Sequence, residues 1–353
     1  MKHNKTKLQK LEFYITNVCN FGCASCNRFN NLSFKGHSVW HEHADTVNLW
    51  AEKLEIDHVV IMGGEPLLNP DINQWVVGLS KAFNKPVQIM SNGSRINKVP
   101  GLYNALVQAD NSFIGISLHY PELRDTIYQA VREFFPPQYV VREKDGEQNT
   151  VLGGIKSFQD NNNIHVEVWS GDDFSENSLI IKQNGRYTLY NNNPEDAFRD
   201  CSFQKFKNHH WIDGKIYRCG PVGLFPQLDD QFDLDLNSED KVLLRSYQPL
   251  CADDSLERHR DFFENIDSMI PQCKFCVAAP ETIHLSPDND LKNISKLIAK
   301  NQKKVDLVVY LLYYNDINKQ GAEHAKRNQK LDRRYCRRLS FVDAGHRIWQ
   351  KRL

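Results

Sequence analysis

Three cysteines on one short segment have the types and spacing for iron–sulfur chemistry. Cys19, Cys23 and Cys26 follow the apolar residues 11–15 in a C-x3-C-x2-C pattern. Three thiolates on one loop can hold three irons of a cubane cluster, which leaves the fourth iron open for reaction. A structural zinc knuckle or buried free thiols are the alternatives. Zinc sites usually pair two C-x2-C units, so the spacing favours a reactive 4Fe–4S centre.

A glycine pair marks the end of the second predicted strand. Gly63, Gly64, Glu65 and Pro66 follow the apolar residues 58–62, and glycine lets a backbone approach a ligand closely. Together with the upstream cysteines, this order resembles the radical S-adenosylmethionine (SAM) superfamily over roughly the first half of the chain. The resemblance implies that the open iron binds the amino and carboxylate groups of SAM. Reduction then yields a 5′-deoxyadenosyl radical that abstracts a hydrogen atom.

The resemblance also implies contacts for SAM and for a substrate. Gly63 and Gly64 would contact the SAM amino group, and Glu65 would pair with that ammonium unless it is a surface carboxylate. Polar residues at the ends of the third and fourth predicted strands are candidates for the SAM ribose and carboxylate: Ser91, Asn92 and Ser117. His119 is a candidate catalytic residue, as substrate contact or proton acceptor. A hydrogen-bonded loop histidine is the alternative.

Apolar runs alternate with helical periods through the first half of the chain. The predicted strands are 12–15, 58–62, 87–90, 113–118, 164–169 and 178–182, and the predicted helices are 47–54, 72–83, 123–134 and 150–158. Asn69 and Pro70 predict the start of the second helix, as N-cap and first helical residue. This alternation is typical of parallel sheets. We expect an α/β fold, a partial (β/α)6 TIM-like barrel with its site at the carboxyl ends of the strands.

A second set of cysteines lies further along the chain: Cys201, Cys219, Cys273 and Cys276. Between the first two, Asp213-Gly214 separates two apolar runs and predicts a β-hairpin with a type I′ turn. Four thiolates can saturate a second, auxiliary 4Fe–4S cluster. Cys251 in place of one of them, or a four-cysteine zinc site, are alternatives. The spacing resembles the start of the twitch and SPASM domains of radical SAM enzymes, which implies a small C-terminal iron–sulfur domain containing the hairpin.

The motifs divide the chain into three predicted parts. Residues 1–190 form the partial barrel, residues 191–285 the twitch/SPASM-like domain, and residues 286–353 a basic, helical extension. Lys+Arg and Asp+Glu both number 44, so the net charge favours no particular partner. No apolar segment typical of a secretory signal follows the N-terminus, and nine cysteines fit a reducing compartment. We expect a cytoplasmic protein without membrane contact.

These features predict a radical SAM oxidoreductase that abstracts hydrogen from its substrate and oxidises it with help from the auxiliary cluster. We expect a small-molecule or peptide substrate and an electron donor such as flavodoxin or ferredoxin. The first predicted strand begins near residue 12, so no N-terminal peptide-recognition domain is expected. One alternative is a peptide- or protein-modifying maturase. Another is a non-catalytic iron–sulfur or zinc protein that binds nucleic acid. Such a protein would need no SAM loop, so residues 63–66 argue against this alternative.

Overall fold

The computed structural model describes residues 5–23, 25–110, 112–146, 154–170, 173–175, 180–183 and 185–284. The strands are β1 (Thr6–Tyr14), β2 (Leu54–Met62), β3 (Val87–Ser91), β4 (Phe113–Leu118), β5 (Arg142–Asp145), β6 (Gly154–Gln159), β7 (His165–Ser170), β8 (Asp173–Ser175), β9 (Ile180–Gln183), β10 (Arg186–Leu189), β11 (His209–Ile212), β12 (Lys215–Tyr217) and β13 (Thr282–His284). The predicted extension over 286–353 lies outside the described residues.

The helices connect these strands and follow them. They are α1 (Trp40–Lys53), α2 (Ile72–Phe83), α3 (Leu102–Gln108), α4 (Arg124–Phe134), α5 (Pro194–Arg199), α6 (Ser202–Lys205), α7 (Gly220–Phe232), α8 (Ser238–Arg245) and α9 (Leu256–Glu264). Within the described part of the chain, no helix is long and apolar enough to cross a membrane.

Nine of the described strands form one sheet in the order β12-β11-β1-β2-β3-β4-β7-β6-β5. The six strands from β11 to β7 run parallel, and β12, β6 and β5 add antiparallel pairings at the two edges. Parallel neighbours require crossover connections, which α1, α2 and α3 provide between successive strands. This mixed α/β sheet fits a partial TIM-like barrel, and the five strands predicted from 12–15 to 164–169 are confirmed.

Two expected elements differ from the structure. Residues 154–158, predicted as helical, belong to strand β6, which pairs antiparallel with both β5 and β7. Gly154 weakens a helix, and burial of Phe158 on one face of the sheet favours the extended form. The strand predicted over 178–182 exists as β9, but among the described residues it pairs only with β10, in a separate two-stranded sheet. The sixth parallel strand is β11, on the opposite edge beside β1.

The core has two parts. The first lies between the large sheet and helices α1–α4, where Trp50, Trp75 and Phe13 are fully buried. The second joins the segment after β1 to α7 and to the segment after α9: Phe29 lies 6.2 Å from Phe225 between ring centroids, and Phe225 lies 5.8 Å from Phe275. The two cysteine-bearing regions are therefore packed around one apolar cluster.

The predicted hairpin is confirmed as β11 and β12, and its turn has the expected backbone. Asp213 has φ 46° and Gly214 has φ 87°, which are the positive values that a type I′ turn requires. The carbonyl of Gly214 also accepts a hydrogen bond of 2.9 Å from the indole Nε1 of Trp50. The turn is thereby attached to helix α1.

Gly214→Ala should lower the free energy of unfolding by about 1–2 kcal/mol, because a Cβ is disfavoured in the left-handed region. Steric crowding contributes little, since the new Cβ would lie 3.4 Å from Thr46. Gly154→Ala is the matched control, because its Cβ would have nothing within 4 Å. Urea unfolding of both variants measures the difference, and equal stabilities would contradict the assigned turn.

Candidate functional site

The segment with the first three cysteines leaves the sheet after β1 and returns to it before α1. Its two ends are held together where Thr16 pairs with His37 in an antiparallel bridge, with 2.8 Å between Thr16 Oγ1 and His37 Nδ1. The side-chain Nδ2 of Asn69 donates hydrogen bonds to the backbone carbonyls of Ile15 at 2.7 Å and Ser38 at 3.0 Å. Asn69 is thus not the N-cap predicted for α2, which begins at Ile72 after Asp71. Its side-chain oxygen still accepts a hydrogen bond of 2.8 Å from the Asp71 amide, while its Nδ2 holds the two ends of the cysteine loop together.

The glycine pair lies directly against this loop. The amide of Gly64 donates to the Thr16 carbonyl and that of Glu65 to the Val18 carbonyl, both at 2.8 Å, and so the β1–β2 pairing continues past the strand ends. A Cβ on Gly63 would lie 2.5 Å from the Thr16 carbonyl oxygen, and one on Gly64 would lie 2.3 Å from that of Val18. Glycine is therefore required here by the neighbouring backbone, whatever ligand the loop binds.

Glu65 is a buried anchor between two loops. Its carboxylate accepts hydrogen bonds from the Leu67 amide at 3.0 Å, the Ser91 hydroxyl at 2.7 Å and the Asn92 amide at 2.7 Å. Burial raises the pKa of Glu65 to about 7, although these three donors pull it down. The surface-carboxylate alternative is wrong, because Glu65 has no exposed area. The residue ties the loop after β2 to the end of β3.

Asn92 connects the same point to the cysteine loop. Its Nδ2 donates to the side-chain oxygen of Asn20 at 3.0 Å, and Asn20 in turn donates to the Ser94 hydroxyl at 2.8 Å. The Ser94 hydroxyl closes the ring by donating to Asn92 Oδ1 at 2.6 Å. Three short polar side chains thus fix the position of the residue next to Cys19.

The thiol of Cys19 is buried near Glu65 and near the other two cysteines of the loop. Burial raises the pKa of Cys19 well above its ordinary value, and the nearby Glu65, Cys26 and Cys23 raise it further. The Tyr120 hydroxyl donates to Cys23 Sγ at 3.7 Å, and its ring meets that of Phe21 edge-on. A buried thiol such as that of Cys19 loses its proton when it binds iron.

Asn30 links the cysteine loop to the end of β1 through side-chain hydrogen bonds. Its Nδ2 donates to the Tyr14 hydroxyl at 2.7 Å and to the Asn17 carbonyl at 2.9 Å, and its Oδ1 lies 4.0 Å from Cys26 Sγ. Asn30 is buried although asparagine is usually exposed. The sequence offered no periodic or spacing signal for this residue, and only the fold identifies it.

The remaining predicted contacts lie at the ends of β4 and β7. Ser117 is the register partner of Trp169, and His119 follows the end of β4. Burial lowers the pKa of His119 to about 4, so its imidazole is neutral near neutral pH. A neutral imidazole can accept a proton or a hydrogen bond. The cysteine loop, Gly63 and His119 follow β1, β2 and β4, and Ser91 is the last residue of β3, so all of them lie at the same edge of the sheet.

The second set of cysteines meets in one small cavity. Cys201, Cys219, Cys273 and Cys276 all line it, and the pKa of Cys276 is raised first by burial and then by the other three thiols. Cys201 and Cys219 stand directly before helices α6 and α7, and the other two lie on a single 3-10 turn, where the Cys276 amide donates to the Cys273 carbonyl at 3.0 Å. Cys251 does not line the cavity and lies near Tyr217 instead.

The chemistry of this cavity fits an iron–sulfur cluster. Besides four thiols it is lined by Arg218, which is buried and whose Nη1 has no hydrogen-bond partner within the described structure. A buried cation without an anion is costly, and a thiolate-bound cluster carries net negative charge. Across the described residues, no three His, Cys, Asp or Glu side chains are arranged to hold a single metal ion. The iron and zinc contents of the purified protein distinguish a cluster from a zinc site.

A buried charged group that sequence reasoning missed lies between the two cysteine sites. Glu12 Oε2 is 2.8 Å from Arg28 Nη2 and 3.0 Å from His210 Nε2. Burial alone raises the pKa of Glu12, but His210, Arg28 and Lys10 outweigh it and lower the value. Because burial lowers the pKa of His210 to about 4, we assign the positive charge to Arg28. The sequence signal for this site was Glu12 itself, a charged residue among the apolar residues of β1.

The chain resembles known proteins through its N-terminal half. Residues 13–141 match the family model of the Radical SAM superfamily. A probable GTP 3′,8-cyclase of Methanocaldococcus jannaschii is 24% identical over 150 residues, which are 42% of this chain and 45% of that protein. Similar proteins of Methanothermobacter marburgensis and Methanothermobacter thermautotrophicus are 21% and 26% identical over 51% and 50% of this chain and 58% and 56% of their own lengths. The chain thus spans about half the length of these curated relatives.

Glu65→Gln should change how stability depends on pH. A carboxyl whose pKa rises from 4.5 to about 7 on folding stabilises the fold fully below its unfolded pKa, and this is lost as the pH rises through about 7. The free energy of unfolding of the metal-free wild type, minus that of Glu65→Gln, should fall by on the order of 3 kcal/mol from about pH 5 to about pH 8. A difference independent of pH would show that Glu65 titrates normally.

Gly64→Ala should displace the cysteine loop, because the new Cβ would lie 2.3 Å from the Val18 carbonyl oxygen and 3.0 Å from Cys19 Cβ. Alkylation of Cys19 in the metal-free protein, followed by mass spectrometry of its peptide, should become at least about tenfold faster as the thiol loses its burial. Gly154→Ala is the control and should alkylate at the wild-type rate. An unchanged rate in Gly64→Ala would refute the close packing of these two loops.

Proposed function

Because residues 13–141 match the family model of the Radical SAM superfamily, we propose that this chain cleaves SAM reductively and abstracts a hydrogen atom from a substrate. The observation that carries the proposal is the packing of the three-cysteine loop against Gly63 and Gly64. Two backbone hydrogen bonds of 2.8 Å hold it there, on the same sheet edge as Ser91 and Asn92. That edge is where βα folds place their reactive groups.

Cys19, Cys23 and Cys26 would hold a 4Fe–4S cluster with one open iron. When bound there, such a cluster would provide the electron for reductive cleavage of SAM to methionine and a 5′-deoxyadenosyl radical. The chain's own contribution is to hold the reactants in place, which lowers the entropy cost of reaction. Backbone atoms at Gly63 and Gly64 would contact the SAM amino group, and Ser117 would contact its ribose or carboxylate.

The contacts of Glu65 do not favour a direct ion pair between its carboxylate and the SAM ammonium. Glu65 is fully buried, and its carboxylate already accepts hydrogen bonds from Leu67, Ser91 and Asn92. We therefore propose that Glu65 orients the Ser91–Asn92 turn toward SAM and reaches the ligand through that turn. His119 would accept a hydrogen bond or a proton from the substrate in its neutral form.

Cys201, Cys219, Cys273 and Cys276 would hold the auxiliary 4Fe–4S cluster of a twitch/SPASM-like domain. With four thiolates no iron is left open, so this site would accept an electron from the substrate radical rather than bind SAM. That layout supports an oxidoreductase acting on a small molecule or a peptide, with flavodoxin or ferredoxin as electron donor. Because the relatives are named as probable GTP 3′,8-cyclases, GTP is the first substrate to include in a screen.

Cysteine replacement tests the assignment. After anaerobic reconstitution the wild type should contain about eight irons per chain. The triple variant Cys19→Ala/Cys23→Ala/Cys26→Ala should keep about half of them and form no 5′-deoxyadenosine from SAM and dithionite, since its remaining cluster has no open iron. Cys273→Ala/Cys276→Ala should also lose about half its iron but still form 5′-deoxyadenosine.

Cys251→Ala is the matched control, because Cys251 does not line the cavity, and it should retain both the iron and the cleavage activity. Stoichiometric zinc without iron in the wild type would overturn the proposal. So would 5′-deoxyadenosine formation by the triple variant.

A further inference from the structure

Arg218 occupies an unusual position for a guanidinium. It follows β12, stands directly before Cys219 and is only 7% exposed. Its guanidinium carbon lies 5.0 Å from the ring centroid of Phe198, and its Nη1 is buried without a hydrogen-bond partner among the described residues. None of the ion pairs found in the described part of the chain includes Arg218. A charge in this position needs an anion, because burial without one costs several kcal/mol.

The groups around Arg218 identify where that anion would be. Arg218 lines the same cavity as the four auxiliary cysteines. The other charged group on the cavity wall, Asp267, is already engaged: its carboxylate lies 2.8 Å from Lys207 Nζ and 3.5 Å from His209 Nε2. The thiols are thus the remaining source of negative charge.

A 4Fe–4S cluster on four thiolates gains one negative charge when it is reduced. A fixed positive charge nearby stabilises the reduced form more than the oxidised form, since Coulomb energy grows with the charge it acts on. The reduction potential of a cluster depends on such charges and on burial. A cation held in a dry cavity acts more strongly than an exposed one, because it is screened less.

Resting on the proposed function, we propose that Arg218 is the counter-charge of the auxiliary cluster and raises its reduction potential. Arg218 is then a positioning residue for electron transfer. It makes the cluster a better one-electron acceptor for a substrate radical without contacting the substrate. The cysteines determine that a cluster binds, and Arg218 determines how readily it takes an electron.

The test uses the full chain with Cys19→Ala/Cys23→Ala/Cys26→Ala, so that only the auxiliary cluster gives a signal. The reduced fraction is followed by electron paramagnetic resonance in a mediated dithionite titration. Arg218→Gln should lower the ratio of reduced to oxidised cluster at a fixed potential at least tenfold, a downward shift of about 59 mV for one electron. Arg218→Lys keeps the charge and should stay within about threefold of the parent.

Lys274→Gln is a matched control. Lys274 lies between two of the cysteines, but its charge is already neutralised by Asp240 at 2.6 Å. Its loss should shift the ratio less than that of Arg218. If Arg218→Gln and its parent have the same iron content and the same cluster reduction potential, the proposal is overturned.

If Arg218→Gln does not retain iron, Arg218→Lys decides. A lysine variant that holds the cluster at the parent potential supports the counter-charge. A lysine variant that also loses iron shows a structural role and overturns the proposal. Absence of any cluster in the parent is a different result, because it contradicts the proposed function and not the role of Arg218.

Discussion

The continuation of the β1–β2 pairing beyond the two strands is the constraint on which the candidate site depends. Gly64 and Glu65 donate to the carbonyls of Thr16 and Val18, and this contact leaves no space for a Cβ at either glycine. The first cysteine thereby has a fixed position relative to the sheet. Preorganisation of this kind is what a site needs in order to hold reactants in a reactive arrangement.

The same principle extends outward through buried polar groups. Glu65 joins the loop after β2 to the end of β3, and Glu12 joins the cysteine loop to β11 through Arg28 and His210. The His210 ring packs so closely on Gly220 that a Cβ there would lie 2.8 Å from Nε2. The two cysteine regions therefore pack around the same apolar cluster.

Local patterns predicted most of the parallel strands, the hairpin and the two sets of cysteines, because each of these signals depends on residues close together in sequence. What failed depends on distant partners. Asn69 has an ordinary N-cap context, yet it serves two carbonyls on either side of the cysteine loop. The place of β11 beside β1 and the convergence of Arg218 with four cysteines follow from tertiary packing, for which a single sequence contains no periodic signal.

The central claim is that one cysteine set leaves an iron open to SAM and the other does not. Electron paramagnetic resonance of the reduced protein, recorded with and without SAM, tests it on two variants. The spectrum of Cys273→Ala/Cys276→Ala, which keeps the first set, should change when SAM is added. That of Cys19→Ala/Cys23→Ala/Cys26→Ala, which keeps the second set, should stay the same. A SAM-dependent change in the second variant, or none in the first, would contradict the account.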